Sequence, residues 1–158
     1  MNNQDEQFLR AAIELAREGM LTGQGGPFGA IIVRDGEIIG KGCNQVTSTN
    51  DPTAHAEIVA IRDACQTIGA FQLTGCTLYA SCEPCPMCLG AIYWARPDRI
   101  VYGAYHSDAA GAGFDDQFIY EELDKSREHR HIPMQQLLRD EADAVFKEWI
   151  ILENKVHY

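Results

Sequence analysis

Thr77-Leu78-Tyr79-Ala80-Ser81-Cys82-Glu83-Pro84-Cys85-Pro86-Met87-Cys88-Leu89-Gly90-Ala91-Ile92-Tyr93-Trp94-Ala95 is the stretch that opens the chain to reading. Residues 77–80 read as a short strand. Pro86 has no amide hydrogen to lose in a first helical turn, so it can open a helix that the apolar run carries to Ala95. Pro84 and Pro86 restrict the backbone between strand and helix. Cys85 and Cys88 are then three apart in that first turn, with both sulfurs on one face. The unpaired amides and positive dipole end there favour thiolate over thiol.

Downstream, 99–102 is a second strand, bounded by Pro97 and Gly103. Upstream, Phe8, Leu9, Ala12, Ile13, Leu15 and Ala16 recur at helical spacing, and Gly19 is expected to end that helix. Residues 27–33 and 37–42 flank Asp35-Gly36, a strong hairpin signal. Thr53 is the expected N-cap of a helix over 54–68. Residues 107–133 are weakly patterned and are expected to mix loop with a helix over 117–125. A last strand is expected at 134–138, then a helix over 141–155 with Val145, Trp149, Ile150 and Leu152 inward. The order α-β-β-α-β-α-β followed by helices predicts a three-layer α/β/α fold with a mixed central sheet. We expect it to be one domain over residues 1–158.

His55-Ala56-Glu57 supplies what the cysteine segment lacks. One imidazole and two thiolates make three ligands for Zn²⁺ and leave a fourth position for water, which is a catalytic arrangement and not a closed structural one. His55 and Glu57 are about 200° apart around a helix and cannot share an interior face. They reach one site only from a helix end, so two helix N-termini are expected to meet at the metal. Glu57 would then be general base first and general acid later. A lone C-x-x-C is also compatible with structural zinc or a redox pair. Cys82, Cys85 and Cys88 imitate an iron–sulfur run without a suitable fourth cysteine, and Cys82 could replace His55 as third ligand. Cys43, Cys65 and Cys76 adjoin apolar runs and read as small packed residues.

The formal charge is 13 − 23 = −10, which argues against the phosphate backbone of a nucleic acid as main partner. No apolar run has the ~18 residues of a membrane span. Residues 1–7 lack the basic and apolar regions of a secretory signal, and six cysteines without one read as reduced thiols or metal ligands. The expected location is cytoplasmic.

Asn50-Asp51-Pro52-Thr53-Ala54-His55-Ala56-Glu57, the segment from Ser81 to Ala91, and Gly25-Gly26-Pro27-Phe28-Gly29-Ala30 together resemble the cytidine/deoxycytidylate deaminase superfamily. Ala91-Ile92-Tyr93-Trp94-Ala95-Arg96, Ala112-Gly113-Phe114-Asp115-Asp116 and the terminal Tyr158 narrow the resemblance to its bacterial guanine deaminases. It spans essentially the whole chain, least clearly between Pro133 and Asn154.

The resemblance implies one zinc per chain on His55, Cys85 and Cys88, and hydrolytic removal of the 2-amino group of guanine with Glu57 as proton carrier. It implies that Phe28 and Trp94 sandwich the base, that Asn44 pairs with O6 and N7, and that Asp116 accepts from the N1–H and N2 edge. It further implies a homodimer with exchanged C-terminal segments, in which Tyr158 reaches the partner's site. The rival is the tRNA-specific adenosine deaminase branch, which shares both zinc segments. An anticodon loop calls for basic surface, whereas residues 115–158 hold six Lys or Arg against eleven Asp or Glu.

Overall fold

The computed structural model of the chain describes residues 3–158. Residues up to Asp116 form one compact unit, and Gln117–Tyr158 form a second. The first unit runs α1 (Asn3–Leu21), β1 (Gly29–Arg34), β2 (Glu37–Cys43), α2 (Val46–Thr49), α3 (Ala56–Ile68), β3 (Cys76–Cys82), α4 (Pro86–Ala95), β4 (Arg99–Ala104) and α5 (His106–Gly111). The strands lie in the order β2-β1-β3-β4. β1 is antiparallel to β2 and β3, and β3 is parallel to β4, with α4 as the crossover. This is the mixed sheet expected from the sequence. Asp35 and Gly36 both take positive φ, 51° and 80°, as a two-residue hairpin with right-twisted strands requires.

Strand alternation explains the three layers. Ala30, Ile32, Leu78 and Ala80 face a core closed by Ala56, Ala60 and Ala64 of α3 and by Ile92 and Ala95 of α4. Ile31, Val33 and Tyr79 point the other way, onto Phe8 and Ala12 of α1. A sheet covered on both faces needs apolar residues at successive positions, which is why β1 reads Ala-Ile-Ile-Val. The alanine face of α3 lies very close to β2. A Cβ on Gly42 would sit 2.6 Å from the Ala60 amide nitrogen, and one on Gly40 would sit 2.6 Å from the Ala60 carbonyl oxygen. These glycines let the helix backbone rest on the strand.

The register places one end of every strand on the same rim. Gly29 pairs with Cys43, Ala30 with Ala80, and Cys82 with Ala104. The residue entering β1 and the residues leaving β2, β3 and β4 therefore emerge together. Among the described residues, no helix is long and apolar enough to cross a membrane.

Several boundaries differ from the sequence reading. Gly19 does not end α1; it is buried within the helix, where a Cβ would come 2.7 Å from that of Cys43. Thr53 is not the N-cap of α3. Its amide and hydroxyl both donate to Asp51 Oδ1, at 2.8 and 2.7 Å, and this turn delays the helix to Ala56. The second unit contains α6 (Gln117–Asp124), close to its expected span, a 3-10 turn (Arg127–His129) and α7 (Arg139–Ile151). Residues 134–138 are not a strand, because no described segment pairs with them. Val145, Trp149, Ile150 and Leu152 are exposed, not inward, and no residue of α7 is buried. The short helices α2 and α5 were not foreseen; each is a single turn or little more, too short to show a period.

Candidate active site

Two helix N-termini meet, as the spacing of His55 and Glu57 requires. His55 is the N-cap of α3 and Cys85 the N-cap of α4, with Pro86 opening that helix. An N-cap side chain ordinarily accepts from an amide of its own first turn. Neither does so here. His55 Nδ1 lies 3.5 Å from Cys85 Sγ and 3.5 Å from Cys88 Sγ. Zinc–sulfur and zinc–nitrogen bonds of about 2.3 and 2.05 Å at a tetrahedral angle separate sulfur from nitrogen by about 3.6 Å. The three donors therefore fit zinc as they stand, and they are the one such group of His, Cys, Asp or Glu among the described residues.

The protonation chemistry agrees with a cation site. A hydrogen bond from Cys88, with one from His55, lowers the Cys85 thiol to about 4. Sharing its proton with that thiolate pushes Cys88 up, and burial and Glu57 push it further. A second thiolate here calls for a positive charge among the donors. Cys82, the open alternative to His55, is the last residue of β3 and directs its thiol to the Tyr105 carbonyl at 3.6 Å. Burial, with Glu57 nearby, pushes it up to about 11, so it stays a thiol.

Glu57 is buried in the first turn of α3, with Oε2 3.5 Å from Cys88 Sγ. Burial raises its carboxyl above the ordinary range. A carboxyl moved toward neutrality takes up and releases protons more evenly, which suits a group that must do both.

The structure places the other residues singled out from the sequence as follows. Asn44 leaves β2, and its neighbour Gln45 donates to the Ala54 carbonyl at 2.9 Å, beside His55. Asn44 Oδ1 accepts from the amides of Gly26 and Val46, both at 3.2 Å. Its oxygen is committed to its own loop, leaving the NH₂ group as a donor only; the sequence alone offered both halves of the amide. Phe28 precedes β1 and packs perpendicular to the Phe114 ring, with centroids 5.0 Å apart. Asp116 is half-buried, and its Oδ1 is enclosed without a hydrogen-bond partner among the described residues. Burial raises its carboxyl, and the charge of Cys85 adds to the shift. Trp94 lies six residues along α4 from Cys88, about 9 Å of helix rise, and is 65% exposed. Tyr158 lies in the second unit and is exposed.

Residues 2–104 match the family described as the cytidine and deoxycytidylate deaminase zinc-binding region. The chain belongs to that family. It is 59% identical to a guanine deaminase of Bacillus subtilis over 97% of this chain and 98% of the relative. A crystal structure of guanine deaminase from the same organism covers 100% of this chain and 99% of its own, at 58% identity and a TM-score of 0.95. A tRNA-specific adenosine deaminase of Aquifex aeolicus is 42% identical over 67% of this chain and 70% of its own. Zinc is the family's cofactor, His55, Cys85 and Cys88 are placed to hold one metal ion, and the fold is that of the guanine deaminase structure.

The sequence reading missed Phe114 as the ring on Phe28, although Phe114 stood inside a quoted motif. An aromatic two residues before a candidate base-contacting aspartate was the available signal. His106, which no motif singled out, is half-buried and lies within electrostatic reach of Asp116.

Proposed function

We propose that this protein is a guanine deaminase that hydrolyses guanine to xanthine and ammonia. The observation that carries this reading is the 59% identity to the Bacillus subtilis guanine deaminase over 97% of the chain, which takes in the second unit. The Aquifex aeolicus tRNA-specific enzyme aligns over only 67%.

The chain's own residues supply the remaining chemistry. His55, Cys85 and Cys88 would hold the zinc, which would supply Lewis acidity toward the attacking water. Glu57 removes a proton from the attacking water and delivers it to ring N3 as oxygen adds to C2. Glu57 then takes the proton of the new hydroxyl and gives it to the 2-amino group, which leaves as ammonia while C2 becomes a carbonyl. Asn44, a donor only, suits O6 and N7, which are both acceptors in guanine. Asp116, an acceptor, suits the N1–H and 2-amino edge. Phe28 presents a ring to the base, and Trp94 remains our second stacking residue.

We further propose a cytoplasmic homodimer whose C-terminal segments are exchanged, Tyr158 closing the partner's site. The second unit exposes Ile132, Leu137, Phe146, Ile150 and Ile151, apolar area that favours burial against another chain. The deciding experiment is ammonia release from guanine, cytosine, cytidine, adenine, adenosine and an anticodon stem-loop RNA side by side. Turnover of guanine supports the reading; turnover of the RNA in its place overturns it. Sedimentation at the mass of one chain would remove the dimer.

A further inference from the structure

Glu83 lies between the zinc cysteines and β3, and nothing in the proposed mechanism uses it. Its surroundings assign it work. The Glu83 amide donates to the Ala104 carbonyl at 2.9 Å, extending the β3–β4 ladder by one bond. Its carboxylate Oε2 accepts from the His106 amide at 3.2 Å, at the first residue of α5. With the Cys82 thiol on the Tyr105 carbonyl, residues 82 and 83 grip 104, 105 and 106 from both sides of the strand end.

The segment beyond that grip is stiff. Asp108, in the first turn of α5, reaches back to the helix start, where the Tyr105 amide donates to its Oδ2 at 2.8 Å. Three further backbone bonds tie the amides of Ala112, Gly113 and Phe114 to the carbonyls of Ala109 and Ala110. Phe114 then seats on Phe28 and against Gly26, where a Cβ would come 3.2 Å from the Phe114 ring. Asp116 follows two residues later. The segment is thus held at one end by Glu83 and near the other by an aromatic contact.

We infer that Glu83 is a positioning residue that sets where Asp116 stands relative to the zinc donors. It acts through the His106 amide and touches neither metal nor base. The inference rests on the reading of Asp116 as a base-contacting residue. The same carboxylate is the side-chain tie that runs from the zinc loop to the first residue of α5, the helix that leads to Asp116.

The test compares Glu83→Ala, Glu83→Asp and Glu83→Gln on the full chain, each also combined with Asp116→Asn. Glu83→Ala should retain about one zinc per chain and raise KM for guanine about tenfold, as expected for losing a charge-assisted hydrogen bond. Glu83→Gln keeps an acceptor oxygen in place and should recover most of that loss. Glu83→Asp withdraws the oxygen by one methylene and should resemble Glu83→Ala, which keeps the test alive if the alanine variant does not fold. In the Asp116→Asn background, Glu83→Ala should add little further loss. Independent, multiplying effects of the two changes would overturn the inference, as would loss of zinc in Glu83→Ala or an unchanged KM. If the unsubstituted protein does not turn over guanine, the functional reading fails first, and that result is distinct from an active enzyme indifferent to Glu83.

Discussion

Asn44 tests the recognition chemistry most sharply, because its two ends have different work. Oδ1 holds the amides of Gly26 and Val46, while the NH₂ group is the end we propose meets the base. Asn44→Ala removes both loop bonds. At about 0.5–1.5 kcal/mol each, stability should fall by about 1–3 kcal/mol. For a chain of this size that lowers Tm by about 2–12 °C. Asn44→Asp keeps an oxygen facing the two amides, so Tm should stay near that of the parent protein. It replaces the donor with an anionic acceptor aimed at O6 and N7. Losing the bond and facing lone pair to lone pair should cost about 3 kcal/mol in the transition state, or about a hundredfold in kcat/KM. The alanine variant, which removes the donor as well as the loop bonds, should lose both stability and guanine turnover, whereas the aspartate variant should lose turnover alone. Thermal melts and steady-state ammonia release on the same preparations read both quantities. An aspartate variant as active on guanine as the parent would refute the donor assignment.

Glu57→Gln should keep about one zinc per chain by elemental analysis while kcat falls by about 10² to 10⁴; stripping zinc with a chelator should abolish turnover and lower Tm, reversed by zinc alone. Gly42→Ala places a methyl carbon 2.6 Å from the Ala60 amide nitrogen, where ordinary contact begins at 3.4 Å. Backing α3 away should cost about 1–3 kcal/mol by denaturant melt and weaken zinc retention, because His55 caps that helix. Asp5 accepts from Arg99 and from the Tyr79 hydroxyl, which hold its carboxyl below 3.8. A depressed carboxyl contributes stability above its unfolded value and loses it as pH falls through the folded one. Asp5→Asn should therefore lower Tm at neutral pH, and the difference from the parent should close in acid below 3.8.

How much the sequence told depended on whether the signal was local. The Asp35-Gly36 turn, the proline-opened helix α4 and the 200° argument for His55 and Glu57 follow from backbone geometry within a few residues. Gly19 was misread because its reason lies far along the chain: Cys43 occupies the space a side chain would need. Thr53 was misread because two residue types compete for the same cap, and Asp51 captured the threonine hydroxyl. The commitment of the Asn44 oxygen depends on Gly26, eighteen residues away, and no period or motif announces it. The second unit was the least legible. Its apolar residues follow a helical spacing, but spacing names a face without naming what covers it.

Because the four strand ends gather on one rim, the fold separates what must stay from what can change. The sheet register and the two glycines beneath α3 hold the metal donors, whereas Phe28 and Asn44, which we propose meet the base, stand just outside β1 and β2. A lineage could exchange the segments outside the strands, and with them the nucleobase accepted, without re-inventing hydrolysis. That division accounts for a family in which relatives bearing different substrate names share one scaffold. The hairpin at Asp35 and Gly36 lies at the other end of β1 from Phe28. It is the natural place to splice in a reporter domain that leaves catalysis running.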